Sequence, residues 1–452
     1  MIRYTRLMRT WINQINRRWR NLGRISFWIP SLLVFSSASA ADWPSWRGQA
    51  GSGVASEKEL PVHWTSKENV RWKTPLPDRG NSSPIVWKDR VFLTQAIEKE
   101  AQRTLMCFDR AQGKLLWQSA ATFKEAEKSH EANPYCAASP VTDGERVIAW
   151  HGSAGVWCYD MNGKEIWRRD LGNQHHDWGY AASPVIHGDA CVLHFGPGER
   201  TFLIALNKNT GETMWNVDLP APNPDERTDG FAGQRDGYVG SWSTPILVNA
   251  NGRGELVVSV PEQVRAFDPQ SGKDLWRCGG LNPLIYTSPI YGDGVVIAMG
   301  GFLGTTIAVK PGGQGDVTAT HRLWQTVRTK NRLGSGVIVN GHVYILNTEG
   351  IAECLELNSG KRVWEERLQG QAAKSESWSS MVLAGDKIYT LNQSAETYVL
   401  RASPKFELIA VNPLDNELTN SSMAVSDGEI FVRTHKNLWC VSEKRPKQTA
   451  QR

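Results

Sequence analysis

No two of the seven cysteines are adjacent, and none stands in a C-x-x-C or C-x-x-C-H spacing. That spacing excludes a zinc ribbon and covalently attached haem. No apolar run reaches membrane-spanning length; the longest candidate, Ile25 to Phe35, is short and interrupted by Pro30. The first forty residues lack any acid and carry seven arginines. Without them, 44 of the 51 basic residues face 46 acidic ones, a formal charge of −2 in place of +5. A near-neutral body has no electrostatic footprint for nucleic acid. No Ser-His-Asp or Cys-His arrangement can be assigned from linear order, so no catalytic residue is named.

What is present begins with that N-terminus. Arg3, Arg6, Arg9, Arg17, Arg18, Arg20 and Arg24 form a long basic region, the short apolar run follows, and Ala38-Ser39-Ala40 supplies small residues before Ala41. This order predicts an export signal over residues 1–40, with a retained membrane anchor as the alternative. An extension over 41–64, a repeat domain over 65–442 and a basic polar tail over 443–452 complete the expected organisation.

The chain is 40% hydrophobic and holds 20 Trp in 452 residues, roughly three times ordinary usage. The tryptophans recur in one setting. CFDRAQGKLLW ends at Trp117, YDMNGKEIW at Trp167, LNKNTGETMW at Trp215, FDPQSGKDLW at Trp276 and LELNSGKRVW at Trp364. A freer version, ATHRLW, ends at Trp324, and NVRWKTPL carries Trp72. A second marker, Ser-Pro or a near equivalent, starts at Ser83, Ser139, Ser183, Thr244, Ser288, Ser335, Ser379 and Ser421. The period near 45 residues with β-type sequence is the signature of a propeller blade.

Within each unit, an apolar strand follows the Ser-Pro, and a tight turn such as Asp143-Gly144 or Asn340-Gly341 leads to a second strand. The third strand enters the Asp position, Gly takes the left-handed place in the Gly-Lys turn, and the fourth strand bears the Trp. Its large apolar area is expected in the gap between neighbouring blades. Cys107, Cys158 and Cys354 each precede the acidic position by two residues on different units, so they are expected as buried free thiols. Eight starts match eight outer aromatics, with Phe406 counted as the eighth. The first aromatic, Trp72, precedes the first start, and the last unit, Ser421–Val441, holds three strands. The expectation is an all-β, eight-bladed β-propeller of four-stranded antiparallel blades, its ring closed by the N-terminal strand.

The repeats, most closely Leu206–Trp215 and Phe267–Trp276, resemble with slight drift the tryptophan-docking units of pyrroloquinoline-quinone (PQQ) enzymes, whose pattern is A-x-D-x-x-T-G-K-x-x-W, over about residues 65–442. PQQ-like propellers include quinone-dependent dehydrogenases and the BamB-like assembly proteins, and the resemblance implies a stand-alone propeller of the latter kind. The adjacent cysteines and the calcium-binding Glu, Asn and Asp that the resemblance to the dehydrogenases implies are not recognisable here. No cofactor and no metal is therefore expected, with PQQ and calcium as the disfavoured alternative.

Function is expected where loops converge before the Ser-Pro positions. SHEANPY (Ser129–Tyr135) and QHHDWGY (Gln174–Tyr180) hold the densest polar chemistry, and the long loop after Trp215 adds Arg235 and Trp242. His130, Glu131, Tyr135, His176, Asp177, Trp178, Arg235 and Trp242 are the candidate ligand-binding residues. Asn81, Tyr286 and Trp378 share that channel mouth, with interblade packing as their expected role. Arg328, Lys330 and Arg332 are expected as a solvated run. The reading is an exported, monomeric binding or assembly scaffold of the periplasm or cell envelope, with protein partners or a small ligand. A PQQ-dependent alcohol or sugar dehydrogenase and a propeller hydrolase or lyase are the alternatives.

Overall fold

The computed structural model describes residues 41–219, 239–301, 304–327, 330–372 and 374–443. The predicted export signal, most of the basic tail, Arg235 and Arg328 lie outside the described residues. Eight antiparallel blades of four strands form the ring. Blade 1 runs through Ile85–Trp87, Arg90–Ile97, Gln102–Asp109 and Leu115–Thr122, from the channel outward. Blade 8 takes three strands from the C-terminal end, Ala424–Ser426, Glu429–Arg433 and Asn437–Ser442, and its outer strand from Val70–Pro75. The N-terminal strand closes the ring.

Why each unit writes Gly-Lys and then Trp is a matter of contact. Gly113, Gly163, Gly211, Gly272 and Gly360 all have φ between 68° and 84° and lie against the indole of the preceding blade. A Cβ at Gly163 would stand 2.7 Å from the Trp117 ring, and one at Gly211 2.7 Å from Trp167. The glycine thus answers two demands, a left-handed backbone and a close approach. The indole N–H reaches on to a carbonyl of the same hairpin: Trp72 to Arg110 (2.7 Å), Trp117 to Met161 (3.0 Å), Trp167 to Lys208 (2.9 Å) and Trp324 to Leu357 (2.8 Å). In each of these blades a bulge in the third-to-outer strand pairing adjoins the Trp.

Two blades depart from the rule, and both departures have one cause. Blade 5 replaces its Asp-Gly-Lys hairpin with residues 310–321, of which Gly315–Asp316 pairs in parallel with the strand of Trp276. Trp276 donates instead to Glu255 Oε2 of its own blade, at 2.7 Å. The PGGQGD stretch is thus in part a fifth strand on blade 4. In blade 8 the third and fourth strands come from opposite ends of the chain, so blade 7 has no hairpin to dock on. The position equivalent to Trp in blade 7 is Ala410, paired with Val399. Phe406 is not that outer-strand aromatic; it sits before the strand, edge-on to Trp364 at 5.2 Å. Trp64 of the extension enters the buried cluster of Ala410, and the Asn412 side-chain amide accepts the Trp64 backbone N–H and donates to Val62 O.

Around the channel runs a closed circuit of hydroxyls. The backbone N–H of Ser83 donates to Ser139 Oγ, and the pattern continues through Ser183, Thr244, Ser288, Ser335, Ser380 and Ser422 back to Ser83, at 2.8–3.1 Å. Here the sequence register is corrected by one residue. Ser380 and Ser422, not Ser379 and Ser421, occupy the circuit; each of these two units has two consecutive serines and no proline to mark which one is in register. Arg332, expected in solvent, is buried against Glu353 at 2.6 Å. All seven thiols are free and buried.

Two predictions follow from the packing. Trp167→Ala is expected to cost about 3–5 kcal/mol, as for other buried aromatic truncations. Gly211→Ala is expected to cost about 1–3 kcal/mol by overpacking and strain in the native chain, but about 1 kcal/mol once Trp167 is Ala, since only the backbone strain remains. Denaturant unfolding of the four chains measures this coupling, and equal costs in both backgrounds would refute the contact. Acid should also weaken the fold. Burial lowers His151 to about 3 and His194 to about 4, whereas an unfolded histidine titrates near about 6.5. The unfolded chain takes up these protons first, so stability is complete above about pH 6.5 and falls towards pH 4. The melting temperature should drop across that interval, less steeply in His194→Gln.

Candidate functional site

The loops before the inner strands surround a cavity of about 340 Å³ at one end of the channel. The outer strands extend further than the sequence suggests, to Thr122 in blade 1 and Asp218 in blade 3. What remains of the first long loop curls back over the mouth. Asn133 Nδ2 donates to the carbonyls of Trp178 (2.8 Å) and Tyr180 (3.1 Å), and Asn81 Nδ2 donates to Ala132 O (2.8 Å). Asn420 of blade 8 also donates to Ala132 O, at 3.1 Å.

The cavity wall is aromatic above and hydroxylated below. Trp178 and Trp242 stack with ring centroids 5.8 Å apart, Tyr286 lies 5.4 Å from Trp242, and Trp378 stands in the same wall. The lower wall is the hydroxyl circuit, seven of whose eight members line the cavity. Tyr286 and Trp378 thus face the cavity, a role for which interblade packing was the expectation.

The candidate residues divide. His130, Trp178 and Trp242 line the cavity. His176 lies behind it, edge-on to Trp242 at 5.0 Å, with Nδ1 accepting the Trp178 N–H. Asp177 faces outward and pairs with Lys128 at 2.8 Å, which holds its carboxyl below the usual range. Glu131 is exposed and offers its carbonyl to Arg79. Tyr135 turns inward, beneath the Arg103 guanidinium at 4.0 Å, and donates to Glu127 O at 2.6 Å. Alternation of side chains along the loops, invisible in a linear motif, separates these neighbours.

Sequence reading missed the floor. Residues 43–55 enter the channel and cross it, from Trp43 paired with Val86 of blade 1 to Val54 bridged to Leu383 of blade 7. Trp46 of this segment lines the cavity, which makes it a blind well. Arg47 anchors the segment. Its five N–H groups donate to the carbonyls of Gly51, Ser335, Met381, Ser52 and Gly336 at 2.7–3.3 Å, and burial lowers its guanidinium to about 9. Arg433 is a second buried guanidinium, bonded to Thr94 O and Gln95 Oε1 and likewise lowered by burial to about 9. The signal for the floor was a WPSWRG stretch standing outside the repeat register.

Comparison with known proteins places this architecture. A family profile described as "Outer membrane protein assembly factor BamB" matches residues 199–448, more than half of the chain. The chain belongs to this family. Outer membrane protein assembly factor BamB of Burkholderia pseudomallei (strain K96243) is 27% identical over 225 residues. That match spans 49% of this chain and 51% of the relative, about half the length of each. BamB from Moraxella catarrhalis superposes with a TM-score of 0.59 at 13% identity, covering 83% of this chain and 98% of that one. Quinohemoprotein alcohol dehydrogenase from Comamonas testosteroni does so with 0.62 at 11% identity, over 91% and 82%. The two solved structures show a shared fold.

The fold shared with a quinone enzyme raises the question of PQQ and calcium. Calcium takes six to eight oxygens, carboxylates prominent among them. The lining among the described residues offers hydroxyls and amides, and neither Asp nor Glu. Among the described residues, no cluster of three or more His, Cys, Asp and Glu is arranged to hold a metal ion. This donor set does not fit a calcium-held quinone.

If Arg47 anchors the floor, Arg47→Met should release it, since several buried carbonyls lose their donor at about 1–3 kcal/mol each. Limited proteolysis should then cleave within residues 43–60 of the variant while the blades stay resistant. Equal protection in both chains would show that the segment is held by its tryptophans instead.

Proposed function

We propose that the chain is an exported scaffold of the cell envelope that takes part in outer membrane protein assembly, with a recognition site at its channel mouth. The observation that carries this reading is the blind well itself. One face of a rigid ring gathers indoles, amides and hydroxyls from many blades, while its described lining holds neither Asp, Glu, Lys, Arg nor Cys, and one histidine, His130. Such a wall recognises more readily than it transforms. Its donor set argues for work without a quinone–calcium centre. Membership of the family of assembly factors supports the biological setting.

The periphery suits protein partners. One residue before the docking Trp, the outer strands of blades 1, 2, 3 and 6 expose Leu116, Ile166, Met214 and Val363. Outer strands also present unpaired backbone to which a partner's strand can add. A hydrolase or lyase at the histidines has less support: His151 lies 3.6 Å from Cys136 Sγ, but both are wholly buried and uncharged.

The test is genetic and biochemical. Deleting the gene in its native host should lower the amount of folded outer-membrane β-barrel protein. The whole chain should restore it, and a chain lacking residues 1–40 should not. Unchanged barrel levels in the deletion strain would reject the assembly role, and rescue by the leaderless chain would reject export.

A further inference from the structure

Seven hydroxyls line the well and donate to no acceptor among the described residues. Ser83, Ser139, Ser183, Thr244, Ser288, Ser380 and Ser422 line it, and each accepts the backbone N–H of a neighbouring circuit member. Ser335, which does not line the cavity, instead donates onward to Ser288 O. An accepted N–H strengthens the O–H as a donor. Seven donors converging on one channel axis favour a ligand rich in acceptor oxygens.

The electrostatics select among such ligands. The guanidinium of Arg47 binds the carbonyl of Ser335, a circuit residue, and Arg433 reaches Ser82 O, beside the circuit residue Ser83. Both are buried and donate to neutral oxygens, and no carboxylate stands in the described lining. Buried charge bonded only to neutral oxygens is costly; Asp78 offsets part of that cost at Arg433 but no carboxylate among the described residues does so at Arg47, and an anion at the channel axis would relieve it. An ammonium group would find no acid in the described lining.

Shape then decides the remainder. Trp46 closes the channel, so a polymer can enter only by an end. Above the hydroxyls, Trp178, Trp242, Tyr286 and Trp378 offer an apolar collar for one side chain. Asn81, in the same wall, has an amide oxygen with no partner among the described residues, suited to a peptide N–H. Resting on the mouth as the recognition site, we propose that the well binds the free C-terminus of a polypeptide ending in an aromatic residue. The carboxylate sits in the hydroxyl circuit and the terminal ring lies among the indoles.

The experiment uses the mature chain and a short glycine–serine peptide ending in phenylalanine, as free acid and as C-terminal amide. Titration is followed by indole fluorescence and calorimetry, with 3-phenylpropionate as a small aromatic acid. The free acid should bind saturably and the amide at least about tenfold more weakly, since charge-assisted hydrogen bonds contribute about 1.5–3 kcal/mol. Trp378→Ala, at a partly exposed position, should weaken the acid about tenfold without altering the melting temperature. Equal binding of acid and amide would overturn the carboxylate proposal while leaving the mouth as a recognition site. 3-Phenylpropionate binding as tightly as the peptide would overturn the chain-end assignment in favour of a small acid. No binding of any probe would overturn the proposal and remove the mouth as the recognition site, while barrel assembly in the deletion strain would still judge the scaffold role separately.

Discussion

An indole lying on a glycine across a blade boundary is the contact on which this molecule depends. A propeller blade has a satisfied backbone within its own sheet, so little but side-chain packing joins it to the next. Here the Trp ring covers a hairpin that only glycine permits, and its N–H takes a carbonyl of that same hairpin. The contact therefore fixes distance and register together. The two exceptions support the rule, because Trp276 and Ala410 both face blades whose hairpin is absent or rerouted.

Ring closure has a different chemistry. Val70–Pro75 pairs with Asn437–Ser442, and Arg110 of blade 1 bonds Glu429 of blade 8 at 2.7 Å in a buried pair. Trp72 docks on the hairpin of Gly113, and Ser422 completes the hydroxyl circuit with Ser83. Strand, ion pair, indole and hydroxyl thus span the same seam. Redundancy is expected there, since the two flanking blades are tied by no short loop and the chain ends must be held by tertiary contacts alone.

Much of this was legible in the residues. Blade number, strand order and closure follow from the spacing of Trp and Ser-Pro, because each marker answers a local steric demand that repeats. The exceptions were not legible. Phe406 was taken for the missing tryptophan since periodicity counts aromatics and cannot see that Ala410 holds the paired position. The register slips by one at Ser379 and Ser421, because two serines stand side by side there with no proline to choose between them. The site was legible only in part. His130, Trp178 and Trp242 converge on the well, whereas Asp177 and Tyr135 turn away from it. Trp46 and Arg47 could not be placed at all, since a segment that folds back through the channel follows no repeat.

That segment changes what the ring is for. An open propeller channel is a tunnel, with two ends and no depth; a plug anchored by one buried arginine gives it a floor. The hydroxyl circuit then stops being a seam between inner strands and becomes the base of a container. Each circuit hydroxyl uses an acceptor lone pair to join two blades, and all but Ser335 leave their proton for the interior. The groups that hold the ring together are therefore also the groups that a ligand would meet. Packing precision at eight blade boundaries is transmitted to the well, because any slip between blades would move a hydroxyl donor. A scaffold built this way gains specificity from the rigidity it already needs to stay closed.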